Sequence, residues 1–164
     1  MDDERLEAAL SALQKREDFF LEDPSGVPDE DFSAYRDELL AETPALAKQT
    51  AYLAFLRRTG GVNLENDELS LGLYGFSGEL VPSVTDEGPF VDQERYFQFG
   101  EVLYSGPPEE RYVFALDLQS DSQAVWVSPF ESSAYVPCCG SIVDLLEAFA
   151  AGRRPGKDKP TPAG

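Results

Sequence analysis

The chain contains no histidine and only two cysteines, and acidic residues far outnumber basic ones. Its 164 residues include 13 Lys and Arg against 31 Asp and Glu, which gives a formal net charge of -18. Without imidazole, the most common general base near neutral pH and the most common metal ligand are both missing. A surface this acidic repels nucleic acid and anionic membranes and attracts basic proteins. The composition therefore favours binding over catalysis, although solubility alone would also explain an acidic surface.

The sequence also lacks a long apolar run and a basic N-terminus. No stretch approaches the roughly 20 apolar residues of a membrane-spanning helix, and the chain starts MDDERLEAAL, unlike a secretory signal. The two cysteines, Cys138 and Cys139, are adjacent. Neighbouring cysteines rarely bridge each other and make a poor zinc site without histidine. We interpret them as small buried residues at a strand end in a reducing, cytoplasmic compartment.

What the chain does have is enough apolar material for one folded domain. Hydrophobic residues make up 42% and aromatic residues 12% of the sequence, which excludes global disorder. We predict a single domain over residues 1–152, with residues 1–43 as a helical N-terminal extension. Residues 1–152 hold 30 acids and 9 bases, whereas residues 153–164 hold four bases and one acid. That last segment, RRPGKDKPTPAG, is predicted to be a disordered basic tail.

Helical periodicity dominates both ends of the domain. Leu6, Leu10 and Leu13 share one face of a helix predicted from Asp3 to about Leu21. A second helix is predicted over about Asp29–Ala41. The third begins at Pro44, with Thr43 as its cap, and ends with Arg57, Arg58 and a left-handed Gly60–Gly61. A final helix is predicted from its N-cap Ser141 to Gly152.

Between these helices, short apolar runs alternate with turn residues. Strands are predicted over Leu69–Phe76, Tyr96–Tyr104, Tyr112–Leu118 and Ala124–Pro129. Ser120–Ser122 suits a hairpin turn between the last two. The strand Tyr112–Leu118 is apolar on both faces, which is typical of a central strand. Val84–Gln93 is predicted to be an exposed loop. The order predicts an α+β fold: an antiparallel sheet of four to six strands with N-terminal helices and one C-terminal helix packed against it.

No motif for catalysis, a cofactor or a metal stands out. The acidic runs Asp29–Asp31 and Glu65–Glu68 do not match a calcium loop, and we predict no enzyme activity, cofactor or metal. Asp117 is the strongest candidate for a buried acid, and we expect it to bond the hairpin turn or a backbone amide. Trp126 and Phe114 could line a ligand cleft, but core packing is the preferred interpretation.

Three segments resemble the SMI1/KNR4 family of the SUKH superfamily. They are AYLAFLRRTGGV (51–62), YVFALDLQSDSQAVWVSPFE (112–131) and SIVDLLEAFAAG (141–152). The resemblance covers about residues 44–152. It departs from the family at Thr59, where Asn is usual, and in the final helix, where Ile142 and Leu146 replace aromatics. It implies a binding fold in which Gly60 and Gly61 end a helix, Asp117 fixes the hairpin and Ser141 caps the last helix.

Many bacterial members of that family look like immunity proteins, which neutralise a cognate toxin, often a nuclease or deaminase. Others act as regulatory scaffolds. The resemblance therefore implies a non-catalytic protein with a basic protein partner, most simply a toxin domain, or alternatively a scaffold that binds a cellular partner. Further alternatives are an enzyme or small-ligand binder, and a mimic of nucleic acid. Nothing in the sequence indicates the oligomeric state.

Two acidic segments are candidates for partner binding. The loop Pro82–Glu94 combines an aromatic residue with acids, the usual anatomy of a binding hot spot. Its candidate residues are Asp86, Glu87, Phe90, Asp92 and Glu94. The second segment contributes Glu65, Asp67 and Glu68. A solvated loop without a partner is the alternative for both.

Overall fold

A computed structural model describes residues 2–22, 28–59, 61–74, 91–92, 95–106, 108–120, 122–130, 132 and 134–156. Within this part of the chain, the α-helices are α1 (Asp2–Gln14), α2 (Asp29–Glu42), α3 (Thr50–Arg58) and α4 (Ile142–Ala150). A short 3-10 helix covers Pro44–Lys48. The strands are β1 (Phe19–Glu22), β2 (Gly61–Glu65), β3 (Leu69–Tyr74), β4 (Val91–Asp92), β5 (Tyr96–Tyr104), β6 (Glu110–Asp117), β7 (Val125–Pro129) and β8 (Val136–Cys139).

All of these strands belong to one antiparallel sheet, so the fold is α+β as the sequence predicts. The strand order is β1-β2-β3-β5-β6-β7-β8, and the short β4 also pairs with β5. The predicted number of four to six strands is wrong, because β1, β2, β4 and β8 are not evident from the apolar pattern. The predicted strand Leu69–Phe76 ends at Tyr74 as β3, and Tyr96–Tyr104 is confirmed as β5.

The helices pack on one face of the sheet and enclose the core. Alternate residues of β2, β3, β5 and β6 point toward them and are buried, since successive side chains of a strand point to opposite faces. The ring of Tyr52 on α3 lies 5.6 Å from that of Phe97 and 5.5 Å from that of Phe99 on β5. Phe114 on β6 packs edge-on against Phe149 on α4, with 6.1 Å between ring centroids. None of the helices in the described ranges is long and apolar enough to cross a membrane.

The N-terminal segment is more than the predicted helical extension. The helix predicted to reach Leu21 ends at Gln14, and β1 follows and pairs with β2 at one edge of the sheet. The Phe-Phe-Leu run of β1 favours a strand once a partner strand is available. Leu10 and Leu13 of α1 are fully buried in the same core as the sheet. Residues 2–22 are therefore an integral part of the fold.

The predicted third helix is broken at Gln49. The 3-10 helix ends there and α3 begins at Thr50. Gln49 is buried, and its side-chain amide donates to the Ser122 carbonyl oxygen at 3.1 Å. Thr43 precedes the 3-10 helix but its side chain makes no capping bond. Gly61, predicted to belong to a left-handed cap, instead opens β2, and Gly60 lies outside the described residues.

The predicted hairpin and final helix are confirmed. β6 lies between β5 and β7, and its residues 113–117 are buried on both faces of the sheet. Ser141 caps α4 by accepting the Asp144 N–H, with 3.3 Å between oxygen and nitrogen. The helix ends with Gly152 at φ +81. The Gly152 N–H bonds the Phe149 carbonyl and the Arg153 N–H bonds the Ala148 carbonyl, which is the paired arrangement of a Schellman motif.

Residues 153–156, predicted to begin a disordered tail, are placed against the sheet. Pro155 is buried, and its carbonyl oxygen accepts the Tyr104 hydroxyl at 2.6 Å. Gly156 packs on the ring of Tyr112. The apolar Pro-Gly pair and the Tyr104 hydroxyl supply contacts that tail composition alone does not reveal. Residues 157–164 lie outside the described residues.

Candidate partner-binding surface

Asp117 forms a bidentate ion pair with Arg95 rather than an open acidic site. The carboxylate accepts from Arg95 Nε at 3.0 Å and Nη2 at 2.8 Å. It also accepts the Gln119 N–H at 2.9 Å, so the expected bond to the hairpin backbone is confirmed. The Arg95 guanidinium, followed by the Gln119 N–H, holds the pKa of this carboxyl below its usual range, although burial opposes the shift. An acid held ionised in this way is a structural group, not a proton donor at neutral pH.

Arg95 begins a row of aromatic rings on the sheet face opposite the helices. Its guanidinium carbon lies 5.1 Å from the centroid of the Tyr96 ring. Tyr96 stacks on Tyr135 at 4.0 Å and lies 5.9 Å from Trp126. The Gln98 side-chain amide donates to the Tyr135 hydroxyl. We call Arg95, Tyr96, Trp126 and Tyr135 the aromatic row.

One sequence feature, the strand alternation around Trp126, is a signal for this row. Trp126 stands between Val125 and Val127, which are both buried in the core. Alternation in a strand therefore sends Trp126 to the other face. Phe114 is fully buried on the helix side, so the preferred interpretation of Phe114 as a core residue is confirmed. Because Trp126 and Phe114 lie on opposite faces, they do not line one cleft.

The predicted loop Pro82–Glu94 is described only at Val91 and Asp92. These two residues form β4, in which Asp92 pairs with Tyr96 and Val91 with Phe97. The end of the predicted loop Val84–Gln93 is thus a short strand, because the neighbouring edge of β5 offers it backbone partners. The backbone of Asp92 lies beside the aromatic row. The candidate residues Asp86, Glu87, Phe90 and Glu94 lie outside the described residues.

The second candidate segment forms the turn between β2 and β3. Glu65, Asp67 and Glu68 are all exposed. Asn66 orders the turn, because its side-chain oxygen accepts the N–H groups of Glu68 at 2.7 Å and Leu69 at 3.0 Å. We call Glu65, Asp67 and Glu68 the acidic turn. Its carboxylates therefore project from a fixed backbone.

Asp18 supports the acidic turn from the neighbouring strand connection, a role that the sequence did not reveal. Its carboxylate accepts two bonds from Arg16, both at 2.9 Å, and one from the Asn66 side chain at 2.8 Å. Its carbonyl accepts the Glu65 N–H at 3.0 Å. The hydrogen bonds from Arg16 and Asn66 hold the pKa of Asp18 well below its usual range. The turn is thereby tied to the end of α1.

Within the described residues, the acidic turn and Asp92 lie at opposite ends of β5. The acidic turn lies at the Tyr104 end of β5, since the Ser105 N–H bonds the Glu68 carbonyl. The end of the loop lies at the Tyr96 end of the same strand. With a rise of roughly 3.4 Å per residue, the two ends of β5 are about 27 Å apart.

Ion pairs within the protein occupy most of the described arginines. These pairs are Arg5 with Asp144 and Glu147, Arg16 with Asp18, Arg36 with Asp37, Arg57 with Asp29, Arg58 with Glu7, Arg95 with Asp117, and Arg111 with Glu101. Among the residues that the structure describes, several exposed acids take part in no ion pair. They are Glu4, Glu17, Glu30, Asp31, Glu38, Glu65, Asp67, Glu68 and Glu109. The excess negative charge is therefore displayed at the surface.

The described residues contain no group of three or more His, Cys, Asp or Glu side chains that could hold a metal ion. The exposed acids outside these ion pairs give the described surface its excess of negative charge. In comparisons with known proteins, no family model, no curated protein and no solved structure matches this chain.

Proposed function

We propose that this protein is a non-catalytic binding protein that captures a basic protein partner. The observation that carries the proposal is the distribution of charge. Most of the described arginines form internal ion pairs, while unpaired acids remain exposed on α1, α2 and the acidic turn. Opposite fields on two proteins raise their association rate and suppress encounters with wrong partners.

Within this class, we favour an immunity protein that neutralises a cognate bacterial toxin of the nuclease or deaminase type. A toxin that handles nucleic acid needs positive charge around its phosphate-binding site, and an acidic inhibitor is complementary to it. The segments that resemble SMI1/KNR4 proteins support this form of the proposal. Those segments form α3, the β6–β7 hairpin and α4. A cytoplasmic location belongs to the same proposal, since Cys138 and Cys139 are free thiols.

The acidic turn and the loop Pro82–Glu94 are the proposed contact regions. The turn presents three carboxylates on a backbone fixed by Asn66 and Asp18. The loop contains Phe90 and several acids, and in the sequence it directly precedes Arg95 and Tyr96 of the aromatic row. An aromatic anchor surrounded by charges of one sign is typical of an interface with a basic protein.

The first experiment uses the product of the adjacent upstream gene as the probe, since the proposal expects it to be the toxin. The two proteins are co-expressed and purified, and their association rate is measured across a salt series. We expect co-purification and an association rate that falls steeply as salt rises, because screening shortens the range of the field. Absence of binding would reject the immunity function, and capture of a cellular enzyme or assembly factor instead would support the scaffold alternative.

Charge reversal tests the acidic turn with a matched control. The turn variant carries Glu65→Lys, Asp67→Lys and Glu68→Lys. The control carries Glu30→Lys, Asp31→Lys and Glu38→Lys on α2, so both variants change the net charge equally. We expect the turn variant to weaken toxin binding at least tenfold more than the control, because local contacts add to the shared loss of field. Equal weakening by both variants would exclude the turn as a contact.

The loop is tested separately by Phe90→Ala. If Phe90 is a buried anchor in the complex, its truncation costs about 2 kcal/mol or more of binding free energy. Isothermal titration at fixed salt measures this cost. An unchanged affinity would mean that the loop stays exposed to solvent in the complex. The acidic turn would then be the remaining proposed contact.

A further inference from the structure

Cys138 and Cys139 are placed together by an irregularity of the sheet. Val125 on β7 pairs with Cys139, whereas the next residue, Trp126, pairs with Pro137. Cys138 is therefore the extra residue of a β-bulge. Adjacent side chains of a regular strand point to opposite faces, and the bulge breaks this alternation. The two thiols are close enough for each to affect the pKa of the other.

The two sulfur atoms have different surroundings. The Cys139 thiol donates to the Ser141 carbonyl oxygen at 3.4 Å, whereas Cys138 lies near the Gly156 N–H. Both cysteines are free and half-buried. The neighbouring Cys139 thiol, together with the Gly156 N–H, lowers the pKa of Cys138 against the opposing effect of burial. The neighbouring Cys138 thiol, burial and the nearby Asp144 carboxylate raise the pKa of Cys139.

We propose that Cys138 and Cys139 form a thiol–disulfide exchange site, with Cys138 as the attacking thiol and Cys139 as the resolving thiol. The substrate class is a low-molecular-weight disulfide such as oxidised glutathione. The Cys138 thiolate attacks one sulfur of that disulfide, its S–S bond breaks, and one glutathione thiolate leaves with the proton from Cys138. Cys139 then attacks the Cys138 sulfur and displaces the second glutathione, which takes the Cys139 proton. The protein loses two hydrogens and two electrons, and the small disulfide gains them.

The product of this exchange is a bond between neighbouring residues, which strains the intervening peptide. Strained disulfides are readily reduced, so the exchange is reversible by a small thiol. This reactivity is compatible with the packing of both side chains against the edge of the core. The site is independent of the acidic surface and of the proposed partner.

The main experiment treats the reduced, folded, full-length protein with oxidised glutathione and follows its intact mass. We expect the mass to fall by two hydrogens, with only a transient glutathione adduct, and to return after addition of reduced glutathione. A persistent adduct on either cysteine, or an unreacted protein, would overturn the proposal.

Two single variants separate the roles of the thiols. Cys139→Ser keeps the attacking thiol and a hydroxyl donor, and we expect it to accumulate one stable glutathione adduct. Cys138→Ser keeps only the resolving thiol, and we expect its adduct to form roughly tenfold more slowly, since the thiolate is the reactive species. Equal rates in the two variants would contradict the assigned roles. Near-ultraviolet circular dichroism checks that both variants are folded.

Phenylarsine oxide gives a readout that needs no variant. It condenses with two neighbouring thiols, forms two As–S bonds and releases water. We expect one equivalent to protect both cysteines of the unaltered protein from alkylation. Alkylation of both thiols in its presence would show that they do not act as a pair.

Discussion

At the scale of single residues, two carboxylates hold the sheet together at its connections. Asp117 joins the β6–β7 turn to Arg95 at the start of β5. Asp18 joins the end of α1 to Asn66 in the acidic turn. Each carboxylate receives a bidentate arginine and one further donor. Charge-assisted bonds of this kind are the stronger ones in proteins, so these two acids differ physically from the solvated majority.

Asp117→Asn tests the structural role of the buried acid. We expect a loss of about 1–3 kcal/mol in the free energy of unfolding near neutral pH, because a charged acceptor of three bonds is removed. The folded-state pKa of Asp117 lies below the ordinary value of 3.8. Its contribution is therefore fully present above about pH 4 to 5 and is lost as pH falls through the folded-state pKa. Urea unfolding at neutral and at acid pH measures both effects.

Asp37→Asn is the matched control for this experiment. Asp37 also pairs with an arginine, but its side chain is 71% exposed. Exposed pairs contribute about 0–1 kcal/mol, so we expect little change in stability. If both variants lost the same stability, or if the loss in Asp117→Asn did not shrink as pH fell through the folded-state pKa of Asp117, the assigned role of the Asp117 carboxylate would be wrong.

At the scale of elements, the segment after α4 packs against the sheet and so holds this helix in place. Gly152 turns the chain out of the helix, and Pro155 and Gly156 then reach Tyr104 on β5 and Tyr112 on β6. The rings of the two tyrosines lie 6.0 Å apart. A short extended segment thus connects α4 with two central strands.

Gly156→Ala tests the packing of this segment on the sheet, with Gly152→Ala as its control. Both glycines have positive φ, at +93 and +81, so each alanine is strained by about 1–2 kcal/mol. At Gly156 the added Cβ would also lie 2.8 Å from Tyr112 Cγ, whereas at Gly152 nothing lies within 4 Å. We expect Gly156→Ala to lose about 1 kcal/mol more than Gly152→Ala. Equal losses in urea unfolding would show that the segment is not packed on Tyr112.

At the scale of the whole molecule, the net charge of -18 opposes the compact state. Like charges repel one another most strongly at low ionic strength. The surface ion pairs that salt also weakens contribute little individually. Salt should therefore stabilise the folded state, because it weakens the overall repulsion more than it weakens the ion pairs.

We accordingly expect the melting temperature to rise as NaCl is increased toward about 0.5 M, where the Debye length falls to a few ångströms. Thermal unfolding followed by circular dichroism measures this response. The variant carrying Glu30→Lys, Asp31→Lys and Glu38→Lys has a smaller negative charge and serves as the control, with a weaker response expected. A melting temperature that fell with salt would mean that the ion pairs outweigh the repulsion.

The sequence alone determined the elements whose signals are local. Periodicity defined α2 and α4, Ser141 and Gly152 marked the ends of α4, and alternation with turn residues defined β5 and the β6–β7 hairpin. The composition also determined the acidic character of the surface. These features depend on propensity, capping and turn chemistry between residues close in the chain.

Only the tertiary structure decided the rest, because those features are stabilised by contacts between residues that are distant in the sequence. β1 became a strand through pairing with β2, although its residues continue a helical pattern. The hydrogen bonds of Arg95 with Asp117 and of Asp18 with Asn66 join residues that are far apart in the sequence, so only the fold reveals them. The bulge at Cys138, which places it next to Cys139 outside the regular alternation, arises from the register between β7 and β8. Register and long-range pairing are properties of the whole sheet, which a local pattern does not encode.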